Sequence, residues 1–241
     1  MLFFRKVPTF VLFLFLHLHV QADNSIKFGR TAISHNPFVV VAQNPKSKVI
    51  SGYLEALRTS LGRTDECKFI FRGKPLMNNI SELSIVDALS TNLNEGGVSE
   101  IAHGTFKKGS DKSFIVVNPA NLLGECDWIL DFVGAPGVTR EGKQFEISFK
   151  IDEISDWIAV SVIRSKRAYF YVKPNGPRKE KAFIVAGDLI YIYDENLNWY
   201  FVKFQIGKKE TTGWIKKPTQ YKFQNNGNIY GGAYFCDFVG L

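Results

Sequence analysis

The sequence predicts a mixed α+β domain followed by a small all-β barrel. Apolar residues recur at helical spacing within 45–62 and 81–93, and short apolar runs bounded by Gly, Pro and Asn follow them. Five further short strands are predicted between 166 and 218. The length of 241 residues suits one large domain or two small ones. Because 45% of the residues are hydrophobic and 22% are charged, a disordered or fibrous chain is excluded.

Residues 1–22 have the composition of a secretory signal peptide. Arg5 and Lys6 form a short basic region, an unbroken apolar run follows, and the Val-Gln-Ala at 20–22 is a small-residue cleavage site. The apolar run is shorter than the roughly 20 residues of a membrane span. The sequence therefore predicts a periplasmic or secreted protein without stable membrane insertion, which begins near Asp23.

The N-terminal α+β domain is predicted over 23–157. Its first helix, 45–62, is inferred from helical spacing and from the stop at Gly62, and the apolar residues concerned are Val49, Ile50, Tyr53, Leu54, Leu57 and Leu61. A second helix is predicted over 81–93. Antiparallel strands are predicted at 67–71, 113–117, 126–133 and 144–151. The acidic segment 152–156 marks the predicted boundary.

The second domain is predicted over 158–220. Its strand signals are at 169–172, 182–185, 189–193, 199–204 and 213–216, separated by turn-rich segments. Five strands in about 50 residues can bury their apolar faces only by curling into a small barrel.

This second domain resembles the bacterial SH3-like domain. The resemblance lies in Ala168-Tyr169, Gly187-Asp188, Trp199-Tyr200-x-Val202 and Gly213-Trp214-Ile215, and it covers 166–218. It implies a small β-barrel and an envelope setting, since such domains in exported bacterial proteins often bind cell-wall peptides or serve as targeting accessories. The resemblance is specific for a fold and does not identify a ligand.

Aromatic residues at strand ends of this domain form a predicted shallow binding groove. The candidate ligand-binding residues are Tyr169, Tyr171, Tyr193 and Trp199, with Asp194 and Glu195 as acceptors for amines. In the competing interpretation, alternate aromatic residues of these strands fill the core of the barrel and bind no ligand. Trp214 is assigned to that core. The domain is rich in Lys and Arg. These side chains form either a solvated basic surface or a patch that binds an acidic partner.

Three cysteines, Cys67, Cys126 and Cys236, would mature in an oxidising compartment, where two can pair. Strand alternation places Cys67 and Cys126 in one core, so Cys67–Cys126 is the preferred disulfide. Cys126–Cys236 is a close rival, and three free thiols are the third possibility. Cys236 belongs to the apolar segment 221–241, which is predicted to return to the N-terminal domain as a strand.

The sequence predicts a protein without catalytic residues, metal or cofactor. Only His35 and His103 remain after leader removal, and neither Cys126 nor Cys236 is followed by a histidine that could activate it. No cysteine or histidine spacing is typical of a zinc site. A carboxylate pair for glycoside cleavage stays open, because the spatial pairing of Asp and Glu is not visible in a sequence.

The resulting functional prediction is an exported, non-catalytic binding protein of the bacterial envelope. An immunity protein or an inhibitor of an envelope-directed toxin or hydrolase fits this description by fold-level analogy. The alternative is a peptidoglycan-binding, cell-wall-targeting protein that acts through the barrel, and a wall hydrolase is the third candidate. The expected partner is an envelope protein or a peptidoglycan peptide. Nucleic acid is not expected, since export removes the protein from it.

Overall fold

The computed structural model describes residues 28–32, 34–88, 100–118, 126, 129, 138–141 and 144–217, and within them the chain forms two antiparallel sheets. The first has ten strands: β1 (Gly29–Arg30), β2 (Phe38–Gln43), β3 (Ile50–Ser60), β4 (Arg63–Gly73), β5 (Ile80–Asp87), β6 (Glu100–Lys108), β7 (Ser113–Asn118), β8 (Val138–Glu141), β9 (Gln144–Phe149) and β10 (Glu153–Ile154). Their order is β10-β1-β2-β3-β4-β5-β6-β7-β9-β8.

The ten-stranded sheet is strongly curled. Eight inter-strand steps separate β9 from β10 in the sheet order, which would be about 38 Å in a flat sheet. Only residues 150–152 join the two strands along the chain, and so short a connection spans at most about 14 Å. The sheet must therefore bend until β9 and β10 approach each other.

The concave side of this sheet encloses the larger hydrophobic core. Alternate residues of the strands point into it, as Ile50, Leu54 and Ala56 of β3 do. Ile129 is fully buried in the same core, and the half-buried Cys126 packs against it. A disulfide joins Cys126 to Cys67 of β4, so Cys126 is fixed to this core.

The second sheet has six strands: β11 (Ala159–Val162), β12 (Ala168–Tyr171), β13 (Arg178–Ile184), β14 (Leu189–Asn196), β15 (Trp199–Ile206) and β16 (Lys209–Lys216). Their order is β11-β14-β15-β16-β12-β13. The consecutive strands β13 and β14 are not hydrogen-bonded neighbours, yet Ile184 and Ile190 lie in one core. This sheet therefore curls around a core of its own.

A third core joins the two sheets. Val40, Ala42 and Tyr53 of the ten-stranded sheet pack there against Val160 and Val162 of β11, on the face opposite the larger core. The backbone N–H of Val160 donates a hydrogen bond to the Ser51 hydroxyl at 3.1 Å across this junction.

Trp157 anchors the same junction from the segment between β10 and β11. Its ring stacks on Tyr191 at 4.5 Å between centroids, and its indole Nε1–H donates to the Val41 carbonyl at 3.2 Å. A buried indole whose N–H is satisfied in this way contributes both packing and orientation. The two sheets are therefore held by specific contacts as well as by apolar burial.

The predicted α+β class is wrong, because the described chain is built of strands. The segment predicted as the helix 45–62 contains β3, and 81–93 overlaps β5. Strand β3 is buried on both faces, since Ile50 and Leu54 enter the larger core while Tyr53 enters the junction. A strand covered on both sides loses the apolar–polar alternation that identifies a strand in a sequence.

Gly62 ends a strand and not a helix. It forms a two-residue hairpin turn with Leu61 between β3 and β4, and the φ angles of Leu61 and Gly62 are 50° and 77°. Positive φ at both central residues is the type I′ geometry that suits the twist of paired strands.

The preferred Cys67–Cys126 disulfide is confirmed. The strand predicted over 126–133 is not supported where the chain is described, since the backbone at Cys126 and Ile129 is helical. The predicted leader 1–22, Cys236 and the predicted returning strand 221–241 lie outside the described residues. Within the described part, no helix is long and apolar enough to cross a membrane.

The five strands predicted between 166 and 218 are all present as β12 to β16. They do not form a barrel by themselves, because β11 adds a sixth strand and pairs with β14. In sheet order β11 and β13 occupy the two edges, so the hydrogen-bonded sheet is curled and not closed.

Candidate functional site

One half of the outer surface of the six-stranded sheet carries a concentration of aromatic side chains. Residues that face each other across paired strands share a face, and Trp214 faces both Tyr171 and Phe201. Tyr169 faces Phe183 in the same way. We call this surface the aromatic face, and its residues are Tyr169, Tyr171, Phe183, Trp199, Phe201 and Trp214.

The local sequence explains why these rings point outward. Each of the four strands alternates between a residue of the sheet's own core and a residue of the opposite face, so Phe170 is fully buried between Tyr169 and Tyr171. Val202 and Ile215 likewise enter the core beside the outward-facing Phe201 and Trp214. The apolar inner residues fix the strands, and the outer aromatic residues are held on a rigid support.

The rings of the aromatic face contact one another. Tyr171 meets Trp199 edge to face at 4.9 Å, and Phe201 lies 5.5 Å from Trp214 between centroids. Only Trp199 is buried, at 7% exposure, whereas Phe183 is 41% exposed. Tyr169, Tyr171, Phe201 and Trp214 are half-buried. The face is thus a packed aromatic layer whose outer side is accessible.

Two arginines lie against this layer. The Arg178 guanidinium is 4.2 Å from the centroid of the Tyr169 ring, and its Nε–H donates to the Tyr171 hydroxyl at 3.2 Å. This hydrogen bond raises the pKa of Arg178 above its usual value. Arg167 lies 4.8 Å from the centroid of Phe183. Both distances fall within the range of a cation–π contact.

The other half of the same outer surface is covered. Tyr191 is buried at the junction with the ten-stranded sheet, and Tyr193 packs against that junction. Beyond the bulge in β14, Glu195 faces the inward-pointing Tyr200 and also takes part in the contact between the sheets: it accepts a hydrogen bond from the Asn44 side chain at 3.3 Å and pairs with the Lys217 ammonium at 3.1 Å. The outer surface is therefore divided between a structural contact and the aromatic face.

The predicted ligand-binding residues are accordingly split between these two halves. Tyr169, Tyr171 and Trp199 meet on the aromatic face, while Tyr193 and Glu195 take part in the contact between the sheets. Asp194 faces Phe201 across β14 and β15, so it lies on the same face as the aromatic residues; it is exposed, and its carboxylate accepts a hydrogen bond from the Glu195 backbone N–H at 2.8 Å.

Three members of the aromatic face were not among the predicted site residues. Trp214 was assigned to the core, but its neighbour Ile215 points into the core, whereas Trp214 lies opposite Phe201 on the outer face. Phe183 and Phe201 were not singled out at all. Their signal is their position at alternate places in strands whose other residues, Ile184 and Val202, are fully buried.

Charge is distributed unevenly between the two sheets. Residues 158–217 contain twelve Lys and Arg against five Asp and Glu, a net charge of +7, whereas 28–157 contain fourteen against sixteen, a net charge of −2. The whole formal charge of the chain is also +7. The positive charge is thus concentrated in the part of the chain that carries the aromatic face.

Comparison of the chain with protein families, with characterised proteins and with solved structures found no match.

Proposed function

We propose that the chain is an exported, non-catalytic binding protein of the bacterial envelope, periplasmic or secreted, which recognises a partner protein through the aromatic face. The observation that carries the proposal is the division of one sheet surface. One half is buried against the ten-stranded sheet, while the other presents half-buried Tyr, Phe and Trp rings that no described element covers.

The composition of the aromatic face supports a protein partner. Tyr, Trp and Arg are the residues most enriched where protein interfaces gain most of their binding energy. Here Tyr169, Tyr171, Trp214 and the stacked Arg178 occur together on one sheet. A sheet face backed by its own core loses little conformational freedom on binding, which favours affinity. Small-molecule sites are usually concave pockets, whereas this surface is the outer side of a curled sheet.

The disulfide supports the exported setting. Cys67 and Cys126 are joined, and disulfides persist in oxidising compartments such as the periplasm or the extracellular space. Together with the predicted signal peptide at 1–22, this agrees with a partner that is itself an envelope or secreted protein. An immunity protein or inhibitor is the type of exported binding protein that we favour.

The test is a binding comparison between variants of the mature chain, residues 23–241. Trp214→Ala and Tyr169→Ala should each abolish retention of an envelope protein that the wild type retains, because they remove rings from the aromatic face. The control is Met77→Ala, which alters a 77% exposed apolar side chain in the loop between β4 and β5. Met77→Ala should retain the same protein as the wild type.

A second arm measures co-sedimentation of the same variants with purified peptidoglycan. If co-sedimentation with peptidoglycan is lost in Trp214→Ala, the aromatic face binds the cell wall, and the hypothesis of a protein partner is wrong. Retention of the envelope protein that is equal for all three variants would contradict a role for the aromatic face.

A further inference from the structure

The two arginines of the aromatic face are held in place but are not neutralised by a carboxylate. Arg178 is fixed by the Tyr169 ring and by the hydrogen bond to Tyr171, and Arg167 by the Phe183 ring. No Asp or Glu of the described residues lies within ion-pair distance of either arginine. Other basic side chains of the same sheet are paired, since Lys203 contacts Glu210 at 3.2 Å and Lys217 contacts Glu195 at 3.1 Å.

The contacts with the aromatic rings determine which N–H groups of these arginines can still donate hydrogen bonds to a partner. The Arg178 guanidinium carbon lies 4.2 Å from the Tyr169 centroid and 5.9 Å from the Tyr171 centroid, and Nε donates to the Tyr171 hydroxyl, so the terminal Nη groups remain as donors without a partner among the described residues. A guanidinium presents its donors as a planar fork that matches a carboxylate with two parallel hydrogen bonds. Because the rings already restrict the side chain, less conformational entropy is lost when such a pair forms.

Building on the proposed function, we propose that the partner presents an acidic surface to the aromatic face, and that Arg167 and Arg178 bind its carboxylates. The net charge of +7 on residues 158–217 supplies the matching long-range attraction. Tyr169, Tyr171 and Phe183 then have two roles, since they hold the arginines and contact apolar groups of the partner. The occupant is an acidic protein surface and not a wall polymer or a polyphosphate.

The experiment titrates the mature chain with poly-L-glutamate, a polypeptide that presents carboxylates, and follows binding by tryptophan fluorescence. The variants are Arg178→Ala, Arg178→Lys and the control Lys208→Ala. Lys208 is an exposed basic residue in the turn between β15 and β16, so its replacement changes the net charge equally. Circular dichroism and thermal melting confirm that each variant is folded.

We expect Arg178→Ala to weaken binding of poly-L-glutamate about tenfold, the size of a lost charge-assisted hydrogen bond. Arg178→Lys should recover only a minor part of this loss, because an ammonium lacks the planar fork. Lys208→Ala should change the affinity less than about twofold. Equal losses for Arg178→Ala and Lys208→Ala, or tighter binding of polyphosphate or peptidoglycan than of poly-L-glutamate, would overturn the inference.

The retention assay with the envelope protein separates this inference from the proposed function. If Trp214→Ala abolishes retention while Arg167→Ala and Arg178→Ala do not, the aromatic face binds a partner that is not anchored by carboxylates. If neither Trp214→Ala nor the arginine variants change retention, both proposals fail. Loss of retention in all three variants supports both.

Discussion

Trp199 and Trp214 show how two tryptophans on the same face can have different roles. Trp199 is 7% exposed and makes a T-shaped contact with Tyr171, whereas Trp214 is half-buried beside Phe201. Burial on this face therefore decreases from Trp199 toward the accessible rings. The more buried ring belongs to the packing of the sheet, and the less buried one is partly accessible to solvent.

Trp199→Ala should lower the free energy of unfolding by roughly 3–5 kcal/mol, because it removes a large buried side chain. Trp214→Ala should cost only about 1 kcal/mol, because part of that ring is already in contact with water. Urea unfolding followed by circular dichroism measures both values. Equal costs for the two variants would show that the aromatic face is packed as a core and would weaken its assignment as a binding surface.

Two buried tyrosines predict the response of the protein to alkaline pH. Burial raises the pKa of Tyr53 and of Tyr191 above that of an exposed tyrosine, and the nearby Glu55 carboxylate raises that of Tyr53 further. A group with a raised folded-state pKa contributes stability that is fully present below the unfolded-state pKa, about 10 for tyrosine. This stability is lost as the pH rises toward the folded-state pKa.

The unfolding free energy should therefore begin to fall near pH 10, where the tyrosines of the unfolded chain ionise, and should keep falling at higher pH; Tyr53→Phe should make this decrease shallower. The quantity to compare is the slope of the unfolding free energy against pH. The absolute stability is not compared, because Tyr53→Phe also removes the 2.8 Å hydrogen bond from the Tyr53 hydroxyl to Glu55. Tyr169→Phe, which removes the hydroxyl of a half-buried tyrosine on the aromatic face, serves as the control. A Tyr53→Phe slope identical to that of the wild type would contradict the argument.

At the scale of elements, the hairpin of β3 and β4 shows why the N-terminal fold class was not predictable from the sequence pattern. Ile50 and Leu54 face the larger core, and Tyr53 faces the junction between the sheets. The resulting apolar positions fit a helical spacing as well as a strand, and only the long-range pairing decides between them. In β12, by contrast, Phe170 is buried between two outward-facing tyrosines, and this strand was predicted.

Only part of the candidate site could be predicted from the sequence, as was the case for the fold. Tyr169, Tyr171 and Trp199 could be chosen because they are aromatic residues of predicted strands. The separation of Tyr193 and Glu195 from them depends on which part of the sheet docks onto the other sheet, and this is a tertiary contact without a local signal.

The Cys67–Cys126 disulfide links Cys126 to β4 at the larger core. The two cysteines are separated by 59 residues, and cross-linking a loop of this size is expected to contribute about 4 kcal/mol by the loop-entropy model. Replacing both cysteines by alanine should lower the unfolding free energy by about that amount. Non-reducing peptide mapping should recover one peptide pair that contains Cys67 and Cys126. A pair that contains Cys236 would contradict the assignment.

At the scale of the whole molecule, the two sheets share a core without sharing a hydrogen-bonded ladder. Trp157 contacts both sheets, because its ring stacks on Tyr191 while its Nε1–H donates to the Val41 carbonyl. Ser51 and Val160 add a second polar contact across the junction. Because each sheet also has a core of its own, the junction determines whether they unfold together.

Trp157→Ala should therefore uncouple the sheets as well as destabilise the protein. The substitution removes a buried ring and the indole hydrogen bond, and we expect calorimetry to resolve two unfolding transitions where the wild type shows one. The control is Trp199→Ala, which removes a ring of the same size and the same 7% exposure from within one sheet. Trp199→Ala should lower the melting temperature without uncoupling the sheets. A single transition in Trp157→Ala at the wild-type temperature would contradict this prediction, because it would show that Trp157 is not needed for the two sheets to unfold together.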